Sequence, residues 1–429
     1  MKKTLLSRAL ALTFCALPLV AHASEADLIQ RLDKLAAELE QVKAELAASK
    51  KKSEEVEARA ETRAQSQAPV VAASNTSSAP QTVLSGYGEV NYNRTRQDPS
   101  QSKADVRRAV IGIEHRFDAK TKLVTEFEWE HAVTSATDKG EAAVEQLYIE
   151  RELDNGLRAK AGLFLIPAGL LNTSHEPTAF YGVERNFVET AIIPSTWREA
   201  GLGLSSTLDN GLTWDLGLTT GFDLTKWDAT SSDGRASPLG SIHQEGQLAK
   251  AHDLGVHGAL NWRGVPGLLV GGSIFSGKAS HATANFAGPD ARVTLWDVHA
   301  RYTPGKWDLS AVYARGSISN TEALNLTFVG NPTPIPSSFD GWYAQAAYQA
   351  WKSKDYVLTP FVRYEQFNTA RSYAGAPNGL AVATGPGEKV STIGANLRVG
   401  EGVVLKADYQ KFREDASRDR LNLGMGYAF

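Results

Sequence analysis

The chain has 429 residues, of which 42% are hydrophobic and 22% charged, and a formal net charge of −3 at pH 7. This charge gives no reason to expect nucleic acid as a partner. The single cysteine, Cys15, lies in a segment that we expect to be removed. The mature chain should therefore have no disulfide, thiolate metal site or cysteine nucleophile.

Residues 1–23 are typical of a secretory signal peptide. Lys2, Lys3 and Arg8 precede an apolar stretch from Ala9 to Val20. Ala21-His22-Ala23 then supplies a small-x-small cleavage site. The apolar stretch is shorter than the ~20 residues that a membrane-spanning helix needs. We therefore expect export and cleavage before Ser24.

Residues 24–65 predict an α-helical coiled coil. Apolar residues spaced alternately by four and three form a narrow seam: Leu28, Leu32, Leu35, Leu39, Val42 and Leu46. One helix cannot bury such a seam alone, so we expect self-association. The alternative is a solvated helical spacer that does not pair. Residues 66–82, rich in alanine and serine with Pro69 and Pro80, are expected to form a flexible linker.

Residues 83–429 predict an all-β fold, an antiparallel transmembrane barrel. Segments of about ten residues alternate apolar with polar side chains, and we count about sixteen, an even number as in single-chain bacterial barrels. The clearest is the last, whose apolar row is Leu421, Leu423, Met425, Tyr427 and Phe429. Short and long connections alternate, as outer-membrane barrels require. Aromatic residues near strand ends are expected to form headgroup girdles: Trp129, Trp214, Trp262, Trp296, Trp307, Trp342 and Tyr427.

The polar inner rows of these strands predict a channel. A barrel of about sixteen strands is too wide for side chains to fill, so it should pass small hydrophilic solutes or ions. Charged residues expected to line the pore are Arg107, Arg108, Glu126, Glu128, Glu130, Arg158, Lys160, Arg363, Arg398 and Lys406. Arginines clustered at the narrowest level would bind oxyanions, whereas dominant carboxylates would favour cations. The sequence leaves both open.

The segment from Leu165 to Trp197 is unusually apolar for a surface loop. Folding back against the inner wall would bury its apolar side chains and narrow the passage. The candidate constriction residues are then His175, Glu176, Glu184, Arg185, Asn186, Glu189 and Arg198. The alternative is a loop that packs outside the barrel mouth or at a subunit boundary.

The stretch from Gly162 to Gly201, GLFLIPAGLLNTSHEPTAFYGVERNFVETAIIPSTWREAG, resembles the corresponding region of the phosphate-selective porin O and P family. The resemblance extends over the barrel from about Leu84 onward. It implies a trimeric outer-membrane channel of about sixteen strands, with the third long loop folded into the pore. Anion-binding members line their lumens with arginine and lysine rows. Here the basic residues are scattered, and Glu126, Glu128 and Glu130 form an acidic row. The resemblance therefore implies a channel but leaves open whether it carries anions or cations.

An enzyme and a structural anchor are the two other classes of function. An enzyme inside the barrel is disfavoured because no nucleophile, base and orienting group share a recognisable spacing. His175-Glu176 does not begin a zinc-peptidase motif, since Ala179 stands where the second histidine belongs. We expect no cofactor and no metal site. A structural alternative is a barrel anchored to the cell wall through its coiled coil.

The expected location is the bacterial outer membrane, with the coiled coil in the periplasm. The expected partners are outer-membrane lipid, further copies of the chain in a homotrimer, and small solutes or ions. We also expect the barrel assembly machinery to bind the final strand, which ends at Phe429.

Overall fold

The computed structural model describes residues 81–135, 137–375, 384–385 and 387–429. The predicted signal peptide, the predicted coiled coil and most of the predicted linker lie outside the described residues. No helix among the described residues combines the length and the apolar character needed to cross a membrane.

The described residues form one closed antiparallel sheet. The first strand, β1 (Gln81–Thr95), pairs with β2 (Lys103–Arg116) and also with the last strand, β17 (Arg420–Ala428), which closes the barrel. Each remaining strand pairs with its neighbours in sequence: β3 (Thr121–Glu130), β4 (Glu141–Glu152), β5 (Leu157–Leu165), β6 (Arg198–Thr207), β7 (Leu212–Thr219), β8 (Gly255–Trp262), β9 (Leu268–Lys278), β10 (Arg292–Tyr302), β11 (Trp307–Ser319), β12 (Pro336–Tyr348), β13 (Trp351–Ser353), β14 (Tyr356–Tyr373), β15 (Glu388–Val399) and β16 (Val403–Phe412).

The wall of the barrel contains sixteen strands. The short segment β13 pairs with β14 and continues β12, which pairs with β14 as well. β12 and β13 therefore act as a single strand of the wall. The prediction of an all-β barrel of about sixteen strands is confirmed.

Short helices and turns lie outside the sheet. Among the described residues they are the helices α1 (Asp233–Ala236) and α2 (Glu322–Thr327), the 3-10 turns Pro99–Gln101, Asp154–Gly156, Leu224–Lys226 and Ala416–Arg418, and the π turn Val188–Ile192. Short turns such as 208–211 and 354–355 alternate with long loops such as 166–197 and 220–254. The predicted alternation of connection lengths is confirmed.

The outer face of the barrel is apolar and exposed. The four apolar side chains of β17 and Phe429 directly after it are 37–70% exposed, whereas Asn422 of the same strand is fully buried. Of the seven predicted girdle residues, six are 36–48% exposed and Trp214 is half-buried. Such a band of apolar side chains is the surface that a barrel presents to lipid.

The buried apolar core lies inside the barrel. Residues 166–197, here called the lumen loop, fold back onto the inner wall. Trp197 stacks on Phe222 of the 220–254 loop, with ring centroids 5.2 Å apart, and meets Phe275 of β9 edge-on at 5.0 Å. Trp197 and Ile192 are fully buried. This apolar packing explains why so hydrophobic a loop can be part of a barrel.

Candidate functional site

The tip of the lumen loop is anchored to β16. The backbone N–H of Val183 donates to Asp408 Oδ2 over 2.6 Å, and Lys406 Nζ donates to the carbonyl oxygen of Gly182 over 2.9 Å. The same ammonium group lies 3.6 Å from the centre of the Phe180 ring. Lys406, expected from sequence to line the pore, is therefore buried beneath the loop.

Further contacts reach other parts of the wall. The Gly169 N–H donates to Asp297 of β10 (3.1 Å), the Tyr181 hydroxyl to Asp308 of β11 (2.9 Å) and the Phe187 N–H to Glu365 of β14 (2.6 Å). With the contacts to β16, these bonds hold the loop across the lumen. The loop is thus fastened to several strands of the wall.

The Glu189 carboxylate accepts four hydrogen bonds that stabilise the lumen loop. Its Oε1 accepts from the backbone N–H groups of Leu170 (2.5 Å) and Leu171 (2.7 Å). Its Oε2 accepts from Asn186 Nδ2 (2.8 Å) and from the Tyr343 hydroxyl of β12 (3.0 Å). This carboxylate therefore joins the two halves of the loop and ties both to the wall.

Arg185 is buried within the loop. Its Nη1 donates to the hydroxyls of Ser195 and Thr196, both over 2.9 Å, and its Nη2 donates to the carbonyl oxygen of His175 over 3.1 Å. Its Nε is buried without a hydrogen-bond partner among the described residues. Guanidinium groups are always charged in proteins, so Arg185 keeps a buried cation with a free donor.

Arg198 begins β6 and pairs with the neighbouring 220–254 loop. Its Nη1 lies 3.1 Å from Glu245 Oε1, and its Nε also has no partner among the described residues. His243 lies 3.2 Å from the same carboxylate oxygen. Burial lowers the pKa of His243 to about 4, so this ring is neutral at neutral pH and Arg198 is the cationic partner of Glu245.

One arginine pairs with two members of the predicted acidic row and with Glu89. Arg108 lies 2.9 Å from Glu89, 3.3 Å from Glu128 and 3.8 Å from Glu130. Arg108, Glu89 and Glu128 are all buried on the inner wall. The row therefore presents less negative charge to the passage than its sequence suggests.

A second buried cluster joins the lumen loop to β1, β3 and β4. The Tyr87 hydroxyl donates to Glu145 Oε2 over 3.0 Å and lies 2.7 Å from His175 Nε2. His175 Nδ1 lies 3.0 Å from the carbonyl oxygen of Asn172. Glu126, from the neighbouring strand, accepts from a glutamine amide on β4 over 2.5 Å and lies close to both Glu145 and His175.

The other candidate residues are distributed over the inner wall. Glu184 accepts from the side-chain amides of Asn91 (3.4 Å) and Asn93 (3.1 Å), and Lys160 lies 4.2 Å from the centre of the Phe164 ring. Four candidates differ in exposure: Arg398 is exposed, whereas Glu176, Arg107 and Arg158 are half-buried. Arg107 lies at a bulge of β2.

The burial of several candidates differs from the sequence expectation that they face the passage. His175, Arg185, Asn186, Glu189 and Arg198 are 2–8% exposed. The physical reason is that the loop crosses the lumen, so its own polar groups must satisfy one another and the wall. Their hydrogen bonds hold the loop in place, and little of each side chain is exposed.

A basic cavity lies beside the lumen loop. Its lining includes Arg263, Arg301, Arg363, His299 and Asn186, with Asp308 as its one carboxylate. Arg301 donates to both oxygens of that carboxylate, over 3.0 and 2.6 Å. Arg363 donates from Nε to Glu365 over 3.0 Å, and its Nη2 is buried without a partner among the described residues. Three arginines and one carboxylate therefore line the cavity, while Glu365 beside Arg363 and Asp297 beside His299 lie behind the lining.

Glu145, Tyr87 and Arg301 were missed by the sequence analysis. Glu145 lies at a register shift between β3 and β4, where Glu126 pairs with Gln146 but Phe127 pairs with Val144. An extra residue at a bulge changes which face the following side chains occupy. The change of phase along β4 was the signal that could have identified Glu145.

The comparisons with known proteins agree with this architecture. The chain matches the family described as "Phosphate-selective porin O and P" over residues 80–418. A protein of Aquifex aeolicus described as uncharacterized is 29% identical over 342 residues, covering 77% of this chain and 75% of that protein.

Solved porins share the fold. The structure of Salmonella typhi OmpF in complex with daunomycin aligns with a TM-score of 0.56 at 17% identity, covering 81% of this chain and 97% of that one. The anion-selective porin from Comamonas acidovorans aligns with a TM-score of 0.51 at 11% identity, covering 82% and 100%. At these identities the likeness concerns the fold alone.

Proposed function

This chain belongs to the phosphate-selective porin O and P family, and from that membership we propose that its barrel conducts small hydrophilic anions, with oxyanions such as phosphate as the preferred class. The family and the barrel make the chain an outer-membrane channel, and both favour a channel over an enzyme. The preference for anions is what we propose beyond the channel itself.

The observation that carries the anion proposal is the basic cavity beside the lumen loop. Three arginines line it, and its one carboxylate is held in both oxygens by Arg301. Planar guanidinium groups bind oxyanions through paired N–H donors, and a narrow, low-dielectric wall strengthens the field that an ion experiences. The free Nη2 of Arg363 offers such a donor.

Ion pairing of carboxylates on β1 and β3 also supports a preference for anions. Arg108 offsets one of the negative charges of Glu89, Glu128 and Glu130, which would otherwise attract cations more strongly. The family description and the Comamonas porin's description as anion-selective fit this reading. Excess positive charge at a constriction raises the local concentration of anions.

The assembly is proposed from the sequence and the family. We propose a homotrimer in which the heptad seam of residues 24–65 pairs in the periplasm, and insertion through the barrel assembly machinery acting on the strand that ends at Phe429. The alternative role of the coiled coil, a tether between the outer membrane and the cell wall, uses the same seam.

Reversal potentials test the proposed selectivity. The purified protein in a planar bilayer between unequal KCl concentrations should give a reversal potential of the sign for chloride, and added phosphate should reduce the chloride current. A reversal potential of the sign for potassium, together with no effect of phosphate, would contradict the proposal.

A further inference from the structure

The cluster of Glu126, Glu145 and His175 has the composition of a metal site. One potential ligand atom from each residue lies within 4.8 Å of those of the other two. The residues come from β3, from β4 and from the lumen loop, so a bound ion would link the loop to the wall. We propose that these three side chains bind a divalent transition-metal ion of the Zn²⁺ class.

The first argument for a metal ion is that the carboxylates of Glu126 and Glu145 lack an arginine or lysine partner in the ranges that the structure describes. Glu145 is fully buried, and its Oε1 has no hydrogen-bond partner among the described residues. Glu89, Glu128 and Glu130 share Arg108, but within the described part of the chain neither Glu126 nor Glu145 has an arginine or lysine at ion-pair distance. A buried carboxylate without a cation is costly, and a divalent ion would compensate Glu145 together with the half-buried Glu126.

The orientation of the imidazole is the second argument. His175 Nδ1 lies 3.0 Å from the carbonyl oxygen of Asn172, an atom that can only accept, so Nδ1 carries a proton. Nε2 then faces the Tyr87 hydroxyl at 2.7 Å and Glu145 Oε2 at 3.7 Å, so a bound ion would take the place of the Tyr87 contact. A histidine that donates one ring N–H to a backbone carbonyl and presents the other nitrogen is the usual geometry of a metal ligand.

The ligand types indicate the class of ion. One imidazole and two carboxylates match the mixed nitrogen and oxygen shells of Zn²⁺, whereas Mg²⁺ and Ca²⁺ prefer oxygen alone. Ligand atoms of a tetrahedral Zn²⁺ ion lie about 3.5 Å apart, given bonds of about 2.0–2.1 Å. Contraction from 4.8 Å requires small rotations of the two carboxylates. The Tyr87 hydroxyl would give up its contact with His175 Nε2 and keep its bond to Glu145, now 3.0 Å long.

Calorimetry tests this site independently of conductance and selectivity. The full-length protein in detergent is stripped with EDTA, dialysed and titrated with ZnCl2. We expect one zinc ion per chain that excess Mg²⁺ does not displace, and a loss of affinity of about tenfold or more in His175→Gln and in Glu145→Gln. His257→Gln is the matched control, because His257 is also buried on the inner wall, on β8, and should bind zinc as the wild type does.

Two further measurements accompany the titration, one of folding and one of the zinc ligands. Heat-dependent mobility on SDS gels shows which variants form barrels. Zinc-edge X-ray absorption on the wild type should show one nitrogen donor among oxygens. Absence of stoichiometric zinc, a shell without histidine, or unchanged affinity in both folded variants would overturn the proposal. The cluster would then be a hydrogen-bonded network completed by a protonated His175.

Discussion

Val183 and Asp408 are separated by 225 positions in the chain, yet the backbone N–H of Val183 donates to the carboxylate of Asp408 over 2.6 Å. Asp408 also accepts from Asn422 of β17 over 2.7 Å, so it is itself held in place. A buried bond between a charged acceptor and a loop amide is strong. The position of the lumen loop thus depends on a residue of the second-to-last strand.

Replacing Asp408 with alanine should loosen the lumen loop. The Val183 N–H loses its partner, so we expect a larger and noisier single-channel current and new protease cleavage within residues 166–197. Asp215→Ala is the matched control, since Asp215 on β7 lies opposite Ser205 and Ala259 and not against the loop. Unchanged current and unchanged cleavage in the Asp408 variant would show that this contact does not hold the loop.

Arg301→Gln should weaken anion preference. Arg301 lines the basic cavity and neutralises Asp308, so its loss leaves a negative charge there. We expect the anion-to-cation permeability ratio to fall by about twofold or more, measured from reversal potentials in asymmetric KCl.

Arg315→Gln supplies the control for that experiment. Arg301 and Arg315 are both 42% exposed and both pair with an aspartate, but Arg315 lies opposite Trp296 on the outer face. Its neutralisation should leave the permeability ratio unchanged. An equal shift in both variants would indicate that net charge, and not the cavity, sets the selectivity.

Phe222→Ala should destabilise the packed interior of the barrel. Phe222 is 1% exposed and contacts the rings of Trp197 and Phe275. Removing a buried aromatic ring costs about 3–5 kcal/mol of unfolding free energy, measurable by urea unfolding in detergent micelles. Leu421→Ala, on the lipid-facing side of β17, should cost less because that side chain contacts detergent. Equal losses would argue against a loop packed as described.

The strand pattern was predictable because it depends on local alternation. Leu421 to Phe429 alternate without interruption, and the structure places their apolar row on the outer face. The strand count and the alternation of turns and loops follow from the same period of two. Predicting these features does not require the register between neighbouring strands.

The site was less predictable because it depends on register and on long-range contacts. Arg108 compensates Glu89 and Glu128 only because the three lie side by side on β1, β2 and β3. Glu145 turns inward only because β4 carries a bulge. His175 was predicted from sequence to face the passage at the constriction, but its partners come from strands 30 residues and more away.

Deleting residues 25–64 should separate the two roles proposed for the heptad seam. If the seam guides assembly, the truncated protein should lose trimers on native gels and by cross-linking. If it acts as a tether, trimers should persist while the outer membrane detaches from the cell wall, visible as blebbing by electron microscopy. Normal trimers and a normal envelope would contradict both.

The most direct test of a water-filled channel is single-channel recording with the purified, correctly folded protein in a planar bilayer. We predict ohmic current that rises in discrete steps, grouped in threes for a trimer. Absence of conductance from protein whose heat-dependent gel mobility shows a closed barrel would contradict the channel.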